Sequence, residues 1–369
     1  MTTEGSSASV RASTRPPLRI GILGTAHIAR QFVRDVAPSP ALRIVAVGSR
    51  SPQAAAAFAA EHRIERHHGR YEDLLDDPQV DAVYLPLPNS LHAAWAVKAA
   101  RAGKHVLCEK PLALGLAEAQ AMFAAARQHG VMLLESYPYW FQPQTGAMVE
   151  LLRAGAIGSV RSVQASFGFT MADPVGNIRM DPLLGGGALL DAGSYPLSLI
   201  RLVMGDAPQR VMADPVWAES GVDIAMTGTL TYADERRAQF ACAMDVANHR
   251  RATLVGTRGT IETEYLNHTA QAPGADPRGY LPSQLRVRRG TAHTMAFEQI
   301  ESAVGSGFRF AAEAFARLVA ERDVDAMERA AAASLDIAAT LEALAQSARL
   351  GRPVDVADAT VLAASPAGA

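Results

Sequence analysis

Lys110, Asp191 and Tyr195 are of the types that together move a proton on and off a carbon-bound oxygen. Lys110 stands in Glu109-Lys110-Pro111, directly after the apolar run His105 to Cys108, where a buried parallel strand would end. A lysine there, beside a cationic ring, has its charged form disfavoured and can polarise a substrate oxygen or tune a neighbouring acid. Asp191 and Tyr195 are four residues apart, so on a helix both side chains leave one face. A phenol close to an ammonium can exchange a proton with a hydroxyl group while hydride leaves for an acceptor. Gly185-Gly186-Gly187, just upstream, would let backbone approach a ligand closely. Taken singly, each feature reads as well as a structural Tyr, a helix-capping Asp or a stray tripeptide.

A nucleotide site is expected at the start of the chain. The run Arg19 to Leu23 leads into Gly24-Thr25-Ala26-His27-Ile28-Ala29. Read as G-x-G-x-x-G, this turn has Ala26 and Ala29 at its second and third positions, a degenerate form that still points a helix N-terminus at a pyrophosphate. Gly24, Thr25, Ala26, His27 and Ile28 are therefore candidate cofactor residues. The second strand ends in Gly48-Ser49-Arg50-Ser51, without the carboxylate that binds an NAD ribose. The Ser49 hydroxyl and the Arg50 fork suit a 2′-phosphate, so NADP(H) is expected over NAD(H). Pro86, Leu87, Asn89 and His92 follow the next strand, and with Glu109 they fall at the carboxyl edge of the sheet, where such folds bind ligands.

The elements that must carry these residues change character along the chain. Arg19 to Leu23, Arg43 to Gly48, Ala82 to Leu85, His105 to Cys108 and Val131 to Leu134 read as buried strands. Helix signals alternate with them, such as Ser51 as N-cap before Pro52, and Leu116 to His129 closed by Gly130. This order predicts a Rossmann-type doubly wound α/β domain over residues 18–136. From Val160 to Phe169 onward the strands follow one another without helices: Ile224 to Tyr232, Gln239 to Met244, Thr253 to Val255 and Thr260 to Tyr265. They predict a large, mainly antiparallel open sheet in a second α/β domain over residues 137–355. Two closing helices are expected, Phe308 to Glu321 and Glu328 to Arg349. Residues 1–17 and 356–369 read as tails.

Length and charge narrow the functions. A chain of 369 residues is long enough for two domains. Lys and Arg number 35 against 37 Asp and Glu, so no basic field exists to hold nucleic acid. No stretch reaches the ~18 apolar residues of a membrane span, and residues 1–17 lack a signal-peptide core, which points to the cytoplasm. Cys108 and Cys242 lack metal-ligand spacing and read as two buried thiols. His67 and His68 have no third ligand at zinc-site spacing, so no metal is expected. The run Arg286 to Arg289 reads as a solvated strand edge.

Taken together, the glycine turn, Pro86-Leu87-Pro88-Asn89 with His92, the Glu109-Lys110-Pro111 box, Glu135 to Gln144, and Gly185 to Asp191 resemble the Gfo/Idh/MocA oxidoreductases in order and spacing, from Leu18 to Val354. The resemblance implies a Rossmann domain carrying NAD(P) and an α/β domain whose open sheet often pairs with another subunit, hence a homodimer or homotetramer. It makes Lys110 the catalytic lysine, Glu109 its neighbour near the cofactor ribose, and Asp191 the aspartate beside the substrate. Tyr195, where many members have histidine, and Arg179 look like the branch containing glucose-fructose oxidoreductase, dihydrodiol dehydrogenase and nucleotide-sugar 3-ketoreductases. Trp140 and Gln142 replace an arginine and a histidine common in the family, which places Trp140 among the candidate substrate contacts with Lys110, Arg179, Asp191 and Tyr195. The expected activity is NADP(H)-dependent exchange between a secondary alcohol and its ketone in a sugar, sugar derivative or cyclic diol. A nucleotide-sugar 3-ketoreductase is the nearest alternative, and a cofactor-retaining hydrolase or a regulatory member is a further one.

Overall fold

The computed structural model describes residues 16–274 and 280–357. The expected tails lie outside these except for Pro16, Pro17, Val356 and Ala357. The first half alternates β1 (Leu18–Leu23), α1 (His27–Val36), β2 (Leu42–Gly48), α2 (Pro52–His62), β3 (Arg66–His68), α3 (Tyr71–Leu75), β4 (Ala82–Leu85), α4 (His92–Arg101), β5 (His105–Glu109), α5 (Leu116–Gln128) and β6 (Leu133–Ser136). The six strands form a parallel sheet in the order β3-β2-β1-β4-β5-β6. The apolar runs are apolar because both faces are covered. Phe32 of α1 and Phe58 of α2 pack on one face, and Leu74 of α3, Ala99 of α4 and Phe123 of α5 pack on the other. The strand order reverses between β1 and β4, which opens a crevice at their carboxyl ends.

After α6 (Pro143–Arg153), the second sheet is built from β7 (Val160–Thr170), β8 (Arg210–Trp217), β9 (Asp223–Thr231), β10 (Arg237–Ala243), β11 (Asp245–Gly256), β12 (Gly259–Thr263), β13 (Leu285–Arg289), β14 (Glu298–Ile300) and β15 (Val354–Asp355). Their order is β14-β13-β12-β11-β7-β10-β9-β8-β15, antiparallel throughout except for the parallel pair β7–β10. Helix α7 (Ser194–Met204) and the long α9 (Val324–Leu350) cover one face, burying Leu199, Ile337 and Leu344. The other face carries Gln164, Ser166, Thr227, Thr229, Gln239 and Thr253 around a shallow open depression. Helix α8 (Gly307–Glu321) returns to the first sheet, where Phe308 and Phe315 join the core under β1 and β4.

Several elements differ from the sequence reading. β6 starts two residues after the expected run, so Glu135 and Ser136 are buried within a strand. β3 has no apolar residue, and β8 contains Pro215, so neither carries a strand signature. Leu285 to Arg289 is not a free edge. It lies between β12 and β14, buries Leu285 and Val287, and sends Arg286 to Glu262 at 2.5 Å and Arg289 to Glu298.

Candidate active site

A cleft of about 720 Å³ lies between the carboxyl ends of β1, β4 and β5 and the covered face of the second sheet. The Rossmann side contributes Ala26, His27, Ile28, Leu87, Asn89 and Lys110, and the opposite side Phe167, Arg179, Asp191, Tyr195, Arg250 and Asn267. Pro86 and Glu109 line it as well.

At its centre the three candidate proton-handling residues meet. Lys110 Nζ donates to Asp191 Oδ1 at 2.8 Å and to Asp191 O at 2.9 Å, and it sits 5.0 Å from the centre of the Tyr195 ring. Arg179 Nε donates to Asp191 Oδ2 at 2.6 Å, so the carboxylate is shared by two cations. Burial opposes the Asp191 charge, but Lys110 and then Arg179 outweigh it and hold the carboxyl down at about 2. Burial also opposes the Lys110 ammonium, and here Asp191, Tyr195 and Glu109 prevail, so it is held above its ordinary value. Among the protein groups the carboxylate partner dominates. Glu109, raised by burial, accepts Tyr84 Oη at 2.7 Å beneath the lysine.

The local backbone explains this meeting. Leu189–Gly193 is not α-helix but a π-turn that runs into α7. Pro196 offers the preceding turn no N–H, and Asp191 O is taken by Lys110 instead. Asp223, buried on β9, accepts Leu189 N at 2.6 Å and caps the turn. The glycine triplet serves this packing rather than a ligand alone. A Cβ at Gly186 would lie 2.5 Å from Arg179 O, and one at Gly187 2.3 Å from Asp223 Oδ1. Asn89 Nδ2 ties the Rossmann edge to the triplet at Gly185 O, 2.8 Å away.

The start of α1 fits a nucleotide phosphate. Ala26 caps it without a side-chain hydrogen bond, and Ala26 and His27 are exposed at the cleft, so the first helical N–H groups face open space. Gly24 N donates to Gly48 O, which keeps the turn against the end of β2. Thr25 sits at the same turn, although neither it nor Gly24 lines the cleft. Ser49 is buried and accepts Ser51 N at 3.2 Å, while Arg50 is exposed beside Tyr71.

Two further predicted contacts, His92 and Trp140, also stand off the cleft. His92 is fully buried, with Nδ1 2.9 Å from Pro111 O and Nε2 2.9 Å from Leu87 O, so it ties together the two loops that line the cleft. Trp140 lies behind the site: its Nε1 donates to Tyr139 Oη at 2.6 Å and its ring packs 5.2 Å from that of Tyr137. Gln142 is buried and bonds Asn267 O and Gly305 O. The sequence reading missed Asn267, whose Nδ2 donates to Tyr195 Oη at 3.1 Å. It also missed Phe167, edge-on to Tyr195 at 5.2 Å, and Arg250, which lies over both rings. None belongs to a motif. Phe167 is one of several apolar residues along β7, and Asn267 follows the last residue of a strand by four positions.

The sequence model of the GFO/IDH/MocA oxidoreductases, with an NAD-binding Rossmann fold, matches residues 18–137, and that of the GFO/IDH/MocA C-terminal domain matches residues 146–262. The D-xylose 1-dehydrogenase (NADP(+)) 2 of Haloferax volcanii is 35% identical over 340 residues, 92% of this chain and 100% of that enzyme. The dTDP-3,4-didehydro-2,6-dideoxy-alpha-D-glucose 3-reductase of Actinomadura kijaniata is 41% identical over 248 residues, 66% of this chain and 74% of that enzyme. Among solved structures, KijD10, a 3-ketoreductase from A. kijaniata in complex with NADP and TDP-benzene, superposes with a TM-score of 0.77 at 31% identity, covering 90% of this chain and 98% of that one. With both of its sheets matched in this way, the chain belongs to the GFO/IDH/MocA family of oxidoreductases.

Proposed function

We propose that Tyr195 is the acid/base of an NADP(H)-dependent oxidoreductase that interconverts a secondary alcohol and its ketone on a carbohydrate-like substrate, assisted by Lys110 and Asp191. The observation that carries this reading is the placement of Lys110 Nζ 2.8 Å from Asp191 and 5.0 Å from the Tyr195 ring, in the cleft onto which the uncapped α1 opens. Bound NADP(H) supplies the hydride donor or acceptor. Ala26, His27 and Ile28 would hold its pyrophosphate, Ser49 and Arg50 its 2′-phosphate, and Pro86, Leu87, Asn89 and Glu109 the nicotinamide half.

Because Asn267 donates to Tyr195 Oη, the phenol's own hydrogen is free to point into the cleft toward a substrate oxygen. That proton passes to the oxygen on reduction and returns to Tyr195 on oxidation. Lys110 stabilises the phenolate left behind and, with Asp191 and Arg179 fixing it, donates to the same substrate oxygen. Phe167 and the aromatic layer of Tyr137 and Tyr139 hold the ring from behind, at centroid distances of 5.2, 5.8 and 6.0 Å.

The 41% identical 3-reductase favours a nucleotide-sugar ketone as a second reading. We further propose a homo-oligomer paired through the open face of the second sheet, whose polar and apolar side chains no helix among the described residues covers. A reducing, cytoplasmic setting suits two buried, unpaired thiols, Cys108 and Cys242.

Parallel fluorescence titrations with NADPH and NADH test the cofactor side. NADPH should bind at least ~tenfold tighter, a difference of ~1.4 kcal/mol, and Arg50→Ala should remove that preference without weakening NADH. Tighter NADH binding, or an unchanged preference in the variant, removes Ser49 and Arg50 from the phosphate site.

A further inference from the structure

We infer that Arg250 binds an oxyanion of the substrate, so that the carbohydrate this cleft selects carries a carboxylate or a phosphate group. The inference rests on the oxidoreductase reading above and names its substrate class.

Arg250 is delivered to the cleft by an irregularity. Along the β11–β7 pair, Asp245 faces Thr170 and His249 faces Gly168, so four steps in β11 match two in β7 before Arg250 pairs with Phe167. Such a bulge re-aims the side chains beside it. Gly168 leaves room for it, since a Cβ there would come within 2.4 Å of Val246 and 2.5 Å of His249.

The guanidinium carbon then lies 4.0 Å from the Phe167 ring centre and 4.4 Å from that of Tyr195. The two rings are nearly perpendicular, so the guanidinium sits in the corner between them, in cation–π contact with both. Arg250 lines the cleft, and its Nη1 is shielded from solvent and has no hydrogen-bond partner among the described residues. Nor does any carboxylate among the described residues form an ion pair with Arg250. Asp191 is divided between Lys110 and Arg179, and Glu109 is engaged by Tyr84. The cleft thus holds a guanidinium beside the reacting phenol whose charge no carboxylate, and whose Nη1 no acceptor, among the described residues matches. A carboxylate or phosphate supplies both the acceptors and the charge. A neutral hydroxyl supplies one acceptor and no charge.

The test uses the full chain loaded with NADP, with D-glucuronate, D-glucose 6-phosphate and UDP as acidic probes and D-glucose and D-xylose as neutral ones. Binding is read by calorimetry, and KM and kcat for whichever sugars turn over. At least one acidic probe should bind ~tenfold or more tighter than the neutral sugars, and Arg250→Leu should weaken it by ~30-fold or more while neutral KM values stay within ~threefold. Arg250→Lys, which keeps the charge and loses the fork, should weaken the same probe by a smaller factor, and it carries the test if the leucine variant does not fold. Preference for glucuronate, for glucose 6-phosphate or for UDP identifies the oxyanion as a sugar acid, a sugar phosphate or the diphosphate of a nucleotide sugar. Equal binding of acidic and neutral probes overturns the inference. So does a parallel loss of kcat on every sugar with affinities unchanged, which would make Arg250 a support for Tyr195 only. Normal turnover of a neutral sugar beside such a result leaves the oxidoreductase reading standing. NADPH binding without turnover of any ketone or alcohol counts against that reading and leaves the calorimetry to judge Arg250.

Discussion

The two walls of the cleft are built by opposite means. The Rossmann wall is made of regular strand ends whose loops are fastened from beneath: His92 joins Leu87 O to Pro111 O, and Glu135 accepts Leu112 N at 2.8 Å. The facing wall is made of departures from regular structure: the π-turn at Leu189–Gly193 places Asp191, and the bulge in β11 places Arg250. One wall presents a general cofactor platform that many sequences can form. The other arranges side chains in positions that a regular helix or strand does not reach, and it carries Asp191, Tyr195 and Arg250 of the proposed site.

This contrast can be broken experimentally. The largest effect is expected where the walls meet: Lys110→Met and Tyr195→Phe should each lower turnover by ~10²–10⁴ with little change in thermal stability. Near-normal steady-state turnover in either variant would remove that residue from the mechanism.

The support beneath the Rossmann wall should appear as a pH effect. Glu135, buried beside Ser334 and Tyr137, is raised from 4.5 to about 7, chiefly by burial. Between those values the unfolded chain releases a proton that the folded chain keeps. Stability therefore falls as pH rises through this window, by about 3 kcal/mol in full. Glu135→Gln keeps the acceptor for Leu112 N and loses the titration. Urea unfolding should show the variant gaining about 3 kcal/mol on the wild type between about pH 5 and about pH 8. A pH-independent difference would mean that the wall does not depend on a protonated carboxyl.

The irregular wall should respond to a single methyl group. Gly187 has φ +109°, and an added Cβ would displace Asp223, the cap of the π-turn. Gly187→Ala should cost about 1–3 kcal/mol of stability and lower kcat while NADPH affinity is retained. Loss of cofactor binding in this variant would show that the two walls are not independent.

The same contrast explains what the sequence revealed. Strands buried on both faces are continuous apolar runs, so β1, β2, β4 and β5 and the loops after them were legible, and with them Lys110 and the glycine turn. Asp191 and Tyr195 were legible as types at a helical spacing, but the π-turn between them has no hydrophobic signature. β13 hides its two buried apolar residues among arginines, and β11 begins in an exposed stretch, Asp245 to His249, without apolar alternation, so the bulge that delivers Arg250 left no periodic trace. Trp140 and His92 were singled out by the family pattern and by their place at the sheet edge. Their orientation away from the cleft is set by local hydrogen bonds that residue type does not announce, to the Tyr139 hydroxyl for Trp140 and to the carbonyls of Leu87 and Pro111 for His92.

The π-turn also sets what kind of genetic change this segment can absorb. It contains one residue more than an α-helical turn would need. Removing any one residue between Leu189 and Gly193 would let the turn close into α geometry, with the flanking segments nearly in place but the widened turn lost. The Asp191 carbonyl, which the open turn leaves to Lys110, would then be drawn into a backbone hydrogen bond of the helix. Substitutions that preserve the small volumes here are compatible with the site, whereas an in-frame deletion of one codon is not. In this stretch of chain the number of residues is itself a functional determinant.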